Sequence, residues 1–277
     1  MSTHTLSGAV PSIHQRPAFD LIARDYDRIF THSVLGKAQR SLVHEALRPR
    51  LRTGQRVLDL NCGTGEDAVF LASLGMSVFA CDISEGMIEI ARRKAGHTDH
   101  GSAIDFAVCA NEHLESLADH APFDVVLSNF GGLNCTDDLA HIARGLSQLV
   151  RPGGEVFLCV LGRVCAWEIL WYSVRGNWRK AFRRIRPGGT EARISGASLR
   201  VHYPSVREMR HAFAPSFTLE SWRGIGVAVP PSWLASAFHA RPRVVELLKH
   251  IDRCLGVLPM SRGLADHILF HFVRERK

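Results

Sequence analysis

No stretch of this chain approaches the roughly 20 consecutive apolar residues that a membrane-spanning helix needs. Its beginning, MSTHTLSGAVPSIHQRP, lacks the apolar centre of a secretion signal, so residues 1–17 are expected to form a flexible lead. The seven cysteines (62, 81, 109, 135, 159, 165 and 254) include no C-x-x-C pair and no Cys/His grouping of zinc type. That pattern points to a reducing, cytoplasmic setting and to no structural metal. Internal repeats and low-complexity tracts are missing too. At 46% hydrophobic and 22% charged residues, the composition excludes a disordered chain.

What the sequence does have is alternation. Short apolar runs at Arg56–Leu60, Ser77–Cys81, Ile104–Val108, Phe123–Ser128 and Glu155–Leu161 read as strands. Helical patterns lie among them: Glu66–Leu74 ending at Gly75, Glu85–Ala95 ending at Gly96, and Asp137–Val150. Arg151–Gly154 reads as a turn. Such alternation predicts an α/β fold, a Rossmann-like doubly wound sheet with ligands at the carboxyl ends of its strands. Phe19–Phe30 and Ala38–Arg50 read as preceding helices, so residues 18–161 form the expected core. Residues 162–277 then carry helical cap insertions at 162–203 and 227–262 around strands at Thr218–Val227 and His267–Val273. All five tryptophans (167, 171, 178, 222, 233) fall in this part, which suggests a second small core covering the site.

The chemistry concentrates in Val57–Ala68, VLDLNCGTGEDA, a buried strand running into a glycine turn and a helix. Gly63, Gly65 and Ala68 fit the spacing of a dinucleotide-binding loop. However, Asp59 stands near the strand's end, ahead of the glycines. A carboxylate there suits a cofactor bearing an ammonium group and suits a diphosphate poorly. Asp82, at the tip of the next strand, is placed to accept hydrogen bonds from both ribose hydroxyls, each contributing about 1.5–3 kcal/mol. An NAD enzyme shares that acid, so Asp59 is the discriminating residue.

With VLDLNCGTG (57–65), VFACDISEGMIEIAR (78–92), FDVVLSN (123–129) and LVRPGGEVFLCV (149–160), the chain resembles the class I S-adenosylmethionine-dependent methyltransferases, over roughly residues 20–161. FDLIARDYDRIF (19–30) resembles the leading helix of small-molecule, lipid and quinone members. The resemblance implies a seven-stranded sheet whose last strand, His267–Val273, runs antiparallel, and S-adenosyl-L-methionine as cofactor. It further implies that Asp59 faces the methionine moiety, through water or directly, with Asn61, Gly63 and Gly65 letting it approach. Asp82 would hold the ribose, Ile83 and Met87 would pack near the adenine, and Ala110 and Asn111 would border its edge. Ser128 and Asn129 would border the methionine side, with Tyr26 closing over the carboxylate. Two positions depart from the family pattern: Asn61 replaces a common Gly, and Ala110 replaces a common adenine-binding Asp.

Methyl transfer needs alignment first, and a base only where the acceptor must lose a proton. His202 and Tyr203 are the leading candidates for base or orienting pair, with Asn134 placed to orient a polar group. Glu168 and His239 are weaker candidates. The acceptor is expected to be a small, hydrophobic, aromatic or lipid-like molecule, admitted past a greasy gate of Pro230–Phe238, Val244, Val245, Leu248 and Ile251. An Asn/Asp-Pro-Pro-Tyr signature for base methylation is absent, making nucleic acid a poor fit. The net charge of +7 and the run Trp178–Arg186, WRKAFRRIR, keep an RNA-directed enzyme open. In that run Arg179, Arg183 and Arg186 share a helical face, solvated or in contact with phosphate or a membrane surface. A non-catalytic regulatory protein that binds S-adenosylmethionine is the third reading.

Overall fold

The computed structural model describes residues 15–194 and 196–276; the rest of the expected lead, residues 1–14, lies outside them. The chain opens with α1 (Gln15–Tyr26), a π-helical turn (Asp27–Thr31) and α2 (Val34–Leu47). The alternating core follows: β1 (Arg56–Leu60), α3 (Glu66–Ser73), β2 (Ser77–Asp82), α4 (Glu85–Gly96), β3 (Ile104–Val108), β4 (Phe123–Ser128), α5 (Leu139–Leu149) and β5 (Val150–Leu161). The first helix starts four residues earlier than its apolar pattern indicates. Strand β5 reaches back through the expected turn: buried Val150 pairs with Phe123, and a register shift before Val125 absorbs the slack.

Next come α6 (Ala166–Val174), α7 (Trp178–Ala181), β6 (Thr190–Ile194), β7 (Ala197–Val201), α8 (Val206–Phe213), β8 (Phe217–Ile225), α9 (Ala235–Phe238), α10 (Pro242–Leu255) and β9 (His267–Arg274). The seven-stranded sheet has the order β3-β2-β1-β4-β5-β9-β8. Only β9 runs against its neighbours, pairing antiparallel with β5 and β8. The expected Rossmann-like sheet with an antiparallel last strand is therefore present. The first insertion differs from its helical expectation, since β6 and β7 form a separate antiparallel hairpin.

Strand alternation divides the core in two. Val57 faces the side covered by α2 and α3, together with Ala68, Leu71 and Leu42. Leu58 and Leu60 face the side covered by α5 and α8, with Leu146 and Met209. The tryptophans build no core of their own. Trp167 and Trp171 join the first layer, Trp222 leans on the second beneath Arg262, and Trp178 is exposed.

Candidate functional site

A cavity of ≈ 590 Å³, counting the space at its mouth, opens at the carboxyl ends of β1, β2 and β4. Its wall includes Tyr26, Asn61, Gly63, Asp82, Ile83, Met87, Asn111 and Asn129, eight of the twelve positions singled out for the cofactor. Phe19, Phe130, Gly131, Gly132 and Cys135 complete it. The glycine loop turns left-handed at Asn61 (φ 60°), Gly63 (54°) and Gly65 (77°). At Gly65 a Cβ would stand 2.9 Å from that of Ala91, so glycine is what lets α4 pack against the loop. Asn61 tolerates the left-handed turn and uses its side chain as a clasp. Its amide donates to Asn111 Oδ1 at 2.9 Å and accepts from Ser128 Oγ at 3.0 Å, tying the ends of three strands together.

Asp82 ends β2 with its carboxylate nearly buried. It accepts the Gly63 N–H at 3.0 Å and the Ser84 N–H at 2.9 Å. Each oxygen keeps a lone pair for a further donor. Burial raises its carboxyl above the usual range, against those two N–H groups. Asn129 Oδ1, on the opposite wall, is buried with no partner among the described residues. Asp82 thus presents acceptors of the kind a ribose diol requires, and the unpartnered Asn129 Oδ1 is of the kind an ammonium requires.

The helix α1 and its π-helical turn close one side. Asp20 accepts from Ser84 Oγ at 2.5 Å and from the Gly86 N–H at 3.0 Å. Asp27 accepts from Thr64 Oγ1 at 2.5 Å and pairs with Lys94 at 2.9 Å. These two acids hold Tyr26 over the glycine loop, and burial pushes its phenol up to about 12. Neither acid stood out in the sequence, because their partners are more than 35 residues away.

Asp59 is almost wholly buried. It shares the helix-covered face with Val57, lies beneath α3 and does not line the cavity. Burial, then the nearby Asp67 charge, raise its carboxyl well above the usual range. Asp67 is the hub here: it accepts from Arg40, from Asn129 Nδ2 at 3.1 Å, and meets His44 Nε2 at 2.6 Å. Burial opposes its ionisation, but Arg40 and His44 hold its carboxyl well below the usual range. Arg40 also lies 4.8 Å over the Phe130 ring, so this network braces two cavity residues. Gly65, Ala110 and Ser128 shape the loops without lining the cavity.

The three candidates for the acceptor chemistry fall elsewhere. His202 and Tyr203 line a second cavity with Asp137, Asp138, Arg163 and Arg186; Cys135 and Thr136, adjacent in the chain, face opposite cavities. Asn134 is fully buried and committed to backbone: Oδ1 accepts the Leu161 N–H at 2.8 Å, and Nδ2 donates to the His202 carbonyl at 2.6 Å. Glu168 is buried between Arg183 and Arg184, and His239 is exposed beyond α9. The Arg179, Arg183, Arg186 face is accordingly broken, with Arg183 turned inward. Residues 230–251 pack on α2 instead of gating either cavity. The β6–β7 hairpin, by contrast, backs Phe19 and Cys135 through Leu199 and Val201.

Residues 57–154 match a family model described as a methyltransferase domain. A demethylmenaquinone methyltransferase of Clavibacter sepedonicus is 30% identical over 221 residues, which is 76% of this chain and 80% of the relative. This chain belongs to the class I S-adenosylmethionine-dependent methyltransferases. A ubiquinone biosynthesis O-methyltransferase of Methylocella silvestris is 37% identical over 150 residues, 50% of this chain and 57% of the relative's own length. Among solved structures, magnesium protoporphyrin IX methyltransferase from Synechocystis PCC 6803 with bound SAH superposes with a TM-score of 0.61. It is 17% identical, the match covering 94% of this chain and 98% of that one, and it bears on the fold alone. The methyltransferase takes S-adenosyl-L-methionine as cofactor.

Proposed function

We propose that this methyltransferase transfers the methyl group to O, N or C of a small hydrophobic or aromatic, lipid-like acceptor in the cytoplasm. The observation that carries the reading is the cavity wall. Phe19, Phe130, Met87, Ile83 and Cys135 face the same space as the polar acceptors Asp82, Asn111 and Asn129. The quinone-biosynthesis names of the relatives support an aromatic acceptor. Six of the seven cysteines are buried thiols, which supports a reducing compartment. An RNA substrate would need a basic track into the site, and the cavity wall holds no Lys or Arg among the described residues.

When bound, S-adenosylmethionine supplies a methyl group already activated by a sulfonium. Asp82 would accept the ribose hydroxyls, Asn129 Oδ1 and the loop at Asn61–Gly63 would hold the amino-acid end, and Ile83 and Met87 would flank the adenine. Phe130, held by Arg40, and Phe19 would orient the acceptor and exclude water. No imidazole lines the cavity among the described residues, and Tyr26 keeps its proton at neutral pH. Rate enhancement would then rest on alignment, for which effective molarities reach about 10⁵–10⁸ M. The acceptor's proton would leave to solvent.

The test is methyl transfer to a panel of hydroquinones and phenols with prenyl or alkyl tails, set against polar catechols and bulk RNA. Turnover confined to the hydrophobic set supports the reading. Turnover on polar catechols or RNA alone overturns it.

A further inference from the structure

The cap has an outer surface that the cavity does not use. From Leu170 to Arg186 the chain carries six cations and no acid. Arg183 and Arg184 turn inward onto Glu168, whereas Arg175, Arg179, Lys180 and Arg186 have no carboxylate partner among the described residues. Alongside them, large apolar side chains stand in solvent: Val174 is 76% exposed, Trp178 61% and Leu170 60%. Leu170 and Val174, four residues apart, share one side of α6. Trp233 stacks on Tyr172 at 6.0 Å, Lys180 lies 5.6 Å over the Tyr172 ring, and Trp178 stacks on Phe182 at 6.3 Å.

We propose that this face, formed by α6, α7 and Trp233, docks the enzyme on an anionic lipid membrane. Exposed Trp and Phe interleaved with Arg and Lys match the boundary between acyl chains and negative headgroups, where aromatic rings and cationic tips both find partners. Charge complementarity selects this occupant over others. A second copy of the same face would set Arg179 and Lys180 against like charges without an acid to pair them. RNA would satisfy the cations and stack on Trp178, but Leu170, Val174 and Ile185 would gain nothing from it. The surface lies outside the cofactor cavity and does not depend on which acceptor the cavity takes.

The experiment is co-sedimentation of the full chain with vesicles of phosphatidylglycerol and phosphatidylcholine, or of phosphatidylcholine alone. Binding should require phosphatidylglycerol, fall as salt rises from about 0.05 to 0.5 M, and shift Trp fluorescence to the blue. Two double variants, Trp178→Ser with Phe182→Ser and Arg179→Ser with Lys180→Ser, should each weaken it by about tenfold or more. Both should leave thermal unfolding and S-adenosylhomocysteine binding unchanged. Equal binding to both vesicle types, or to neither, overturns the proposal. So does a dimer that the Trp178→Ser, Phe182→Ser variant dissociates, or tighter binding to polyuridylate that survives loss of those two rings.

Discussion

Gly132 lies so close to the Asn61 side chain that a Cβ at position 132 would stand 2.3 Å from Asn61 Cβ and 2.5 Å from its Cγ. The two positions are matched: the asparagine clasp after β1 fits only because the loop after β4 carries no side chain there. Gly132→Ala should cost about 1–3 kcal/mol by overpacking and weaken S-adenosylhomocysteine binding. In an Asn61→Gly background the same change should be nearly harmless. A double-mutant cycle in urea checks this, with a coupling of about 1 kcal/mol or more expected.

The Asp67 hub should govern acid stability. Asp67→Asn leaves Arg40 buried without a counter-charge, which should cost about 3–5 kcal/mol. Because the folded-state carboxyl sits below its ordinary value near 3.9, its stabilisation is complete above that value. It drains as the pH falls toward the folded-state pKa. Asp59, raised by burial and by Asp67, works in the opposite sense: its contribution is present at low pH and is lost as the pH rises. Urea midpoints from about pH 6 to pH 3 should therefore fall less steeply in Asp67→Asn than in the parent.

Asn134 is expected to be a structural clip. Asn134→Ala removes its side-chain bonds to the Leu161 and His202 backbone and should destabilise by about 2–4 kcal/mol. His202→Ala, in the second cavity, should leave methyl transfer within about twofold of the parent. A loss of about a hundredfold at unchanged stability, the scale of general-base removal, would return His202 to the chemistry.

Cofactor affinity should carry the signature of Asp82. Its carboxyl is raised by burial, so protonation weakens it as an acceptor at pH values where an ordinary Asp is fully charged. S-adenosylhomocysteine affinity should thus rise as the pH climbs above about 4, and Asp82→Asn should flatten that rise. Titration by intrinsic fluorescence across the range measures it.

Much of this was legible in the sequence. The sheet strands are short apolar runs, the helical runs after β1 and β2 read as stopping at Gly75 and Gly96, and the loop 57–65 announces its turn. The hairpin at 190–201 was not legible, because TEARI and ASLRV are half polar and, among the described residues, bury only Leu199 and Val201. The Asp67, Arg40 and His44 network was beyond reach, since its members lie 23 and 27 residues apart and meet only when α2 crosses α3. His202 is drawn away from the cofactor cavity by backbone bonds to Asn134, which no local pattern encodes.

The most direct test is calorimetric titration of the chain and of Asp82→Ala with S-adenosylhomocysteine, with NAD as control. The account predicts micromolar binding of S-adenosylhomocysteine, none of NAD, and a loss of about tenfold to a hundredfold in the folded Asp82→Ala variant. Unchanged affinity in that variant, or binding of NAD in place of S-adenosylhomocysteine, would contradict it.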